Sequence, residues 1–493
     1  MSTSNNKANF YDVLKNSPMF QLSLASKELF HSNFLAWIGS LPFDKGKEHP
    51  FRKLMFKLGA TNALDDSWGE DWYVAREYKN FDLCVLSEKP LEFRIEKTPS
   101  DEECKEGGID DVSVQPRVLL VLENKLKSIP YKKQLDEYFV KVLNMSFAEV
   151  KDKDKTVNEG GLCYMWQLCP KQVNLRIANS TKARARKYRI EGDSDEYTSR
   201  MRSLAIDKVK GRTDFLLLSM ATEFQDKDAV KNEGLWKLTS YNEYLSCLKK
   251  LQLEGYYKLI LEDYCKQLEC IQNLHNEWTS NLDASKFLYF DKDDEGKWIF
   301  RKDYSLLREL RIHDLYHKQR QASMCNCLRT KLDDAFKENE LKYRYLSFEE
   351  FANANKKEIN IHLNSGLIHG VPVLDLWLVT GQGFCYMIQV QGDHYQHGFR
   401  WLGTKYKDKY DELWQRMTAS YGWWVEAPDL TTIFELRESA ENKDSYDGRY
   451  NNKDCTDVYK YWRIKTSATV KDVLSYIVDD FISLCKKHVS LIR

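Results

Sequence analysis

Apolar residues run without alternation from Val118 to Leu122 and stop at Glu123-Asn124-Lys125. An unbroken run of this kind predicts a strand covered on both faces inside a sheet. Residues two apart on a strand share a face, so Glu123 and Lys125 point one way and Asn124 the other. Upstream, Phe81, Leu83 and Val85 alternate with Asp82, Cys84 and Leu86, the period of a half-buried strand carrying one acid. Downstream, Pro130 suits a first helical turn, and Tyr131, Gln134, Leu135 and Tyr138 recur at helical spacing. Gln134 and Tyr138 then project side by side.

The same reading places further elements. Ser26 caps a first helix with Leu29, Phe34 and Ile38 among its apolar positions, and Glu28 shares a stripe with His31, Ser32 and Leu35. Ser87 to Gln115 is acidic, contains Pro90, Pro99 and Gly107-Gly108, and reads as an excursion between two strands. LCYMWQLC and DFLLLSM are strand-like and are expected to extend the sheet, and a long helical region is expected from Tyr241 to Glu277. Beyond Leu282 come the strands EINIHL, VPVLDLWLV and FCYMIQVQG, the last two joined as a hairpin through Thr380-Gly381-Gln382-Gly383, and a terminal helix from Thr469. The expected architecture is therefore α/β over residues 1–280, with insertions at 87–116 and 145–213, followed by an α+β domain over 281–493. No Pro/Gly/Ser-rich linker separates them, so the two are expected to pack closely.

Charge changes the picture. Lys+Arg and Asp+Glu both number 74, so any nucleic-acid affinity must come from a local patch rather than from the whole molecule. Lys182, Arg184, Arg186, Lys187 and Arg189 form one such patch, as suited to a solvated surface as to phosphate contact. Arg311 to Gln321 mixes basic and ring residues and reads either as a nucleic-acid clamp or as an amphipathic helix with a basic surface. Trp423-Trp424 reads as packing. Twelve cysteines without a CxxC pair read as free thiols, and His394-x-x-His397 reads as packing rather than a metal site. No GxxxxGK[ST] loop, Gly-x-Ser-x-Gly elbow, signal peptide or membrane-length apolar run occurs, so a cytoplasmic protein without a membrane partner is expected.

A carboxylate at the end of a buried strand is costly unless a cation or hydrogen bonds compensate it, and a divalent metal is the natural candidate. Asp82, then Glu123-x-Lys125, then Gln134-x-x-x-Tyr138 resembles the PD-(D/E)XK nuclease superfamily, and the trailing Gln and Tyr resemble the branch found in bacterial recombination helicase-nucleases. SKELFHSNFLAWI resembles the opening helix of prokaryotic members, with Glu28 at the position of the Glu that points to the metal. Two departures stand out: Phe81 replaces the usual Pro, and Asp82 precedes Glu123 by 41 residues, so that Asp110 or Asp111 is an alternative first ligand.

The resemblance implies a restriction-endonuclease-like core, with a mixed sheet flanked by helices. It implies Mg²⁺, with Mn²⁺ as a substitute, held by Asp82, Glu123, Glu28 and a backbone carbonyl near Asn124. Lys125 would orient water or neutralise phosphate charge, and Gln134 and Tyr138 would support the site. The implied substrate is nucleic acid, DNA ahead of RNA, in prokaryotic restriction or phage defence, with a homo-oligomer or a defence-system protein as further partner. The alternative is a nuclease fold without chemistry, acting as a binding scaffold through its C-terminal domain.

Overall fold

The computed structural model describes residues 3–17, 19–20, 27–43, 48–64, 68–87, 112–113, 117–126, 130, 132–145, 147–150, 163–166, 175–177, 188–189, 213–220, 230–231, 234–346, 350–351, 354, 358–380, 383–421, 432–435, 446–451 and 455–492. The chain is mixed α/β. Helices α1 (Thr3–Asn16), α2 (Lys27–Gly39) and α3 (Pro50–Lys57) precede strands β1 (Trp72–Arg76) and β2 (Leu83–Ser87). Then come β3 (Val112–Ser113), β4 (Arg117–Lys125) and α4 (Lys132–Met145), followed by the short strands β5 (Phe147–Val150), β6 (Cys163–Trp166), β7 (Leu175–Ile177) and β8 (Tyr188–Arg189). Strands β9 (Asp214–Ser219) and β10 (Trp236–Ser240) lead into α5 (Tyr241–Leu248) and α6 (Gly255–Ser280).

Strands β1-β2-β4-β9-β10 form one sheet in that order. The pairs β1/β2 and β2/β4 are antiparallel, whereas β4/β9 and β9/β10 are parallel. The unbroken apolar runs of β4 and β9 are explained by cover on both faces. Leu83, Val85, Leu120, Leu122, Leu216 and Leu218 join a core with α1, α2, α3, α5 and α6. Cys84, Leu86, Val121, Phe215 and Leu217 face the other way, onto Leu135, Tyr138 and Val142 of α4.

This corrects three expectations. β2 is buried on both faces rather than half-buried, because Cys84 and Leu86 pack under α4 instead of facing water. DFLLLSM does extend the sheet, but β6 belongs to a separate sheet of order β3-β5-β6-β7-β8. The helical region after Tyr241 is split between Leu248 and Gly255, where Gly255 takes φ +54° and begins the second helix.

The second half opens with a hairpin, β11 (Phe290–Lys292) and β12 (Trp298–Phe300), then α7 (Lys302–Glu309) and α8 (His313–Glu338). Its sheet contains β13 (Tyr343–Tyr345), β14 (Ile359–Ile368), β15 (Val371–Val379), β16 (Phe384–Gln391) and β17 (His394–Leu402). After α9 (Tyr410–Tyr421) it is completed by β18 (Gly448–Asn451) and β19 (Cys455–Arg463), and α10 (Val470–Ile492) follows. The strand order is β13-β14-β15-β16-β17-β19-β18, with β15/β16 as the expected antiparallel hairpin.

One helix serves both cores. Leu315, near the start of α8, lies in the first core, while Met324, Leu328, Leu332 and Phe336 lie in the second. Its 26 residues span about 39 Å.

Candidate active site

The antiparallel register of β2 on β4 pairs Leu83 with Leu122, which sets Asp82 opposite Glu123. The long excursion between these strands therefore leaves the two acids adjacent. The Asn124 amide donates to Asp82 Oδ2 at 2.7 Å. Asp110 and Asp111, the alternative first ligands, lie outside the described residues.

Glu123 and Lys125 share the face of β4 that looks toward α4, as their spacing requires. Lys125 Nζ lies 2.5 Å from Glu123 Oε1. The same oxygen accepts from Gln134 Nε2 at 3.1 Å, and Gln134 Nε2 also donates to the Tyr138 hydroxyl at 2.8 Å. The helical spacing of Gln134 and Tyr138 thus sets an amide between a phenol and a carboxylate. Glu123 is only 1% exposed, and its second oxygen, Oε2, finds no hydrogen-bond partner among the described residues.

That arrangement has an electrostatic consequence. Burial, and then the neighbouring charge of Asp82, push the Glu123 carboxyl up to about 7, even though Lys125 draws it down. The Tyr138 phenol is also raised, first by burial and then by Glu123. Two carboxylates that repel each other in a poorly solvated corner, one with a bare oxygen, match what a hard divalent cation takes up. Among the described residues no cluster of three or more His, Cys, Asp or Glu side chains is placed to hold a metal. Two protein carboxylates still fit Mg²⁺, which keeps several waters and shares substrate phosphate oxygens. Glu28 falls in the first turn of α2, and its side chain lies outside the described ones.

Asn124 points to the opposite face, where its side chain accepts from the Tyr241 hydroxyl and donates to Ser32 Oγ at 3.4 Å. Ser32 comes four residues after Glu28 on α2. Beside it, buried His31 bonds through Nδ1 to the Tyr264 hydroxyl at 2.6 Å, and Tyr264 meets Tyr244 at 3.4 Å. This polar layer beneath Asn124 escapes sequence reading, apart from the stripe that joins Glu28 to His31 and Ser32. Buried hydroxyls on three different elements leave no periodic trace.

The other candidate residues are placed as follows. Of the basic patch, Lys182, Arg184, Arg186 and Lys187 lie outside the described residues, and Arg189 is described only as backbone in β8. Trp423 and Trp424 also lie outside them. Within Arg311 to Gln321 the clamp reading fails for Arg320. It is 5% exposed and donates to the carbonyls of Phe287, at 2.8 Å, and Lys286, so it ties α8 to the start of the second half. His397 pairs with Asp480 at 2.6 Å and His394 stacks on Tyr461, in keeping with packing roles. The nine cysteines whose side chains are described are free thiols, and no helix is long and apolar enough to cross a membrane among the residues described. Compared with protein-family models, curated proteins and solved structures, the chain matches none.

Proposed function

We propose that the chain is a metal-dependent nuclease of the PD-(D/E)XK type, hydrolysing phosphodiester bonds of nucleic acid, DNA ahead of RNA. The observation that carries the reading is the buried Oε2 of Glu123, which has no hydrogen-bond partner among the described residues, beside Asp82 and with Lys125 on the other oxygen. The five-stranded mixed sheet between helical layers supports a restriction-endonuclease-like core. Asp82 and Glu123 would hold Mg²⁺ or Mn²⁺, with Glu28 and a backbone carbonyl near Asn124 as further ligands. Bound there, the ion would supply Lewis acidity for activating water at neutral pH and for offsetting phosphate charge.

The remaining roles belong to the chain's own groups. The Lys125 ammonium neutralises charge growing on the non-bridging phosphate oxygens as the attacking oxygen bonds to phosphorus and the P–O bond to the leaving group breaks. Gln134 fixes the Glu123 carboxylate through Oε1, and Tyr138 fixes Gln134. Burial makes each of these charges count for more than it would in water. A role in prokaryotic restriction or phage defence, with a defence-system partner, belongs to the same proposal.

The test is incubation of the purified protein with plasmid, single-stranded DNA and RNA, each with Mg²⁺, Mn²⁺ or EDTA, beside Glu123→Gln and Lys125→Met. Metal-dependent cleavage that both variants lose by orders of magnitude is expected. Cleavage equal in wild type and Glu123→Gln would trace it to another site, and no cleavage in any arm would make the fold a binding scaffold.

A further inference from the structure

Three consecutive large apolar residues stand in water on β12: Trp298 at 40% exposure, Ile299 at 46% and Phe300 at 44%. Single exposed apolar side chains need no explanation, but an uninterrupted exposed run does. The hairpin register pairs Phe290 with Phe300 and Lys292 with Trp298, so all four share one face. The two exposed rings, two residues apart, are spaced by about 6.6–6.8 Å along the strand. Each carries a cation: Lys292 Nζ is 4.6 Å from the Trp298 centroid, and Arg308 Cζ is 4.5 Å from that of Phe300.

Charge decides what such a face accepts. Lys292 is shared with Glu435 at 2.6 Å, but Arg308, set over Phe300, has no carboxylate partner among the described residues. The hairpin's acids are largely engaged: Asp291 pairs with Lys286, Glu295 with Lys297, and Asp293 accepts the amides of Glu295 and Lys297, leaving Asp294. An apolar protein surface docked here would bury unpaired guanidinium charge, at a cost of several kcal/mol. A strand of bases and phosphates would stack on the rings and neutralise Arg308 together.

We propose that the Trp298/Phe300 face with Arg308 is a stacking platform for single-stranded nucleic acid. A chain of buried contacts joins it to the end of β4. Phe300 meets Tyr304 at 5.3 Å, the Tyr304 hydroxyl meets His317 Nε2 at 2.7 Å, and Gln319, two residues on, donates to the carbonyl of Leu126. Only a role of the platform in delivering substrate would rest on the nuclease reading; the binding does not.

The test is fluorescence anisotropy of 20-nucleotide oligo-dT, oligo-rU and a DNA duplex in EDTA, so that no cleavage intervenes. Trp298→Ala and Phe300→Ala should each weaken single-strand binding roughly ten-fold and leave weaker duplex binding unchanged. Arg308→Glu should lower the salt slope by about one. Tyr256→Ala, at an exposed ring elsewhere, should change nothing. A loss confined to oligo-dT or to oligo-rU identifies the strand. Unchanged affinity in the two ring variants overturns the proposal, as does a Trp298-dependent dimer by sedimentation without nucleic-acid affinity. Ring-dependent binding without cleavage under any metal would leave the platform standing while the nuclease reading falls.

Discussion

The side-chain amide of Gln319 donates to the backbone carbonyl of Leu126 at 3.0 Å, across 193 residues of sequence. Leu126 directly follows Lys125, and Arg320 directly follows Gln319. Adjacent positions on α8 therefore hold the end of β4 and the segment Lys286–Phe287 that begins the second half.

Gln319 Oε1 has no partner among the described residues, so Gln319→Leu removes one hydrogen bond and one unsatisfied acceptor together. The two effects offset, and stability by chemical denaturation should move by less than about 1 kcal/mol. Cleavage should fall more than stability, because the carbonyl next to Lys125 loses its donor. Gln319→Glu sets an acceptor against that carbonyl and should be worse on both counts. A Glu variant no worse than the Leu variant would show that the contact does not matter.

Glu123 sets a pH dependence of the metal-free protein. Its carboxyl is at about 7 when folded and near 4.5 when free, so above pH 4.5 the unfolded chain releases the proton first. Its contribution to stability is complete below about pH 4.5 and lost as pH rises through 7, a loss on the order of a few kcal/mol. Glu123→Gln, which cannot ionise, should therefore raise Tm relative to wild type at pH 8 and do so much less at pH 5. Mg²⁺ should raise the wild-type Tm at pH 8 and leave Glu123→Gln unmoved. A difference between the two proteins that is the same at both pH values would refute the shift.

What could be read from the sequence is what periodicity and strand parity govern. The two-residue spacing puts Glu123 with Lys125, and the helical spacing puts Gln134 beside Tyr138. The strand pairing that closes the excursion between Asp82 and Glu123 is a tertiary event, so only the candidate pairing was visible. The second face of β2 was missed because Cys84 and Leu86 could equally have ended at an edge. The two halves show no linker because α8 belongs to both cores, and a shared helix leaves no compositional break. The exposed run on β12 was hidden for a related reason: apolar residues read as core until their cover is known.

Tyr241→Phe should separate position from chemistry. It removes the hydroxyl that reaches Asn124, at a cost of about 1 kcal/mol in stability, while leaving the ring that packs against His31 and Tyr244. Asn124 also donates its backbone amide to Asp82, so loosening its side chain should slow cleavage several-fold with little change in KM. A change in KM alone would place Tyr241 in substrate binding instead.

The second half has its own test of what holds it together. Arg400 grips Asp457 through two nitrogens, Nε to Oδ1 at 2.6 Å and Nη2 to Oδ2, and lies 4.0 Å from the Trp377 centroid. Nearby, Asp375 accepts from Gln389 at 2.6 Å, and burial pushes its carboxyl up against the pull of Gln389 and Arg400. Asp457 is 3% exposed, so Arg400→Ala strands a buried carboxylate and should cost about 3–5 kcal/mol. Asp457→Ala strands the guanidinium and should cost a similar amount. The double variant leaves neither charge, so its cost should be well below the sum of the two. Additive costs by chemical denaturation would mean that the pair is not coupled and that each side chain acts through packing alone.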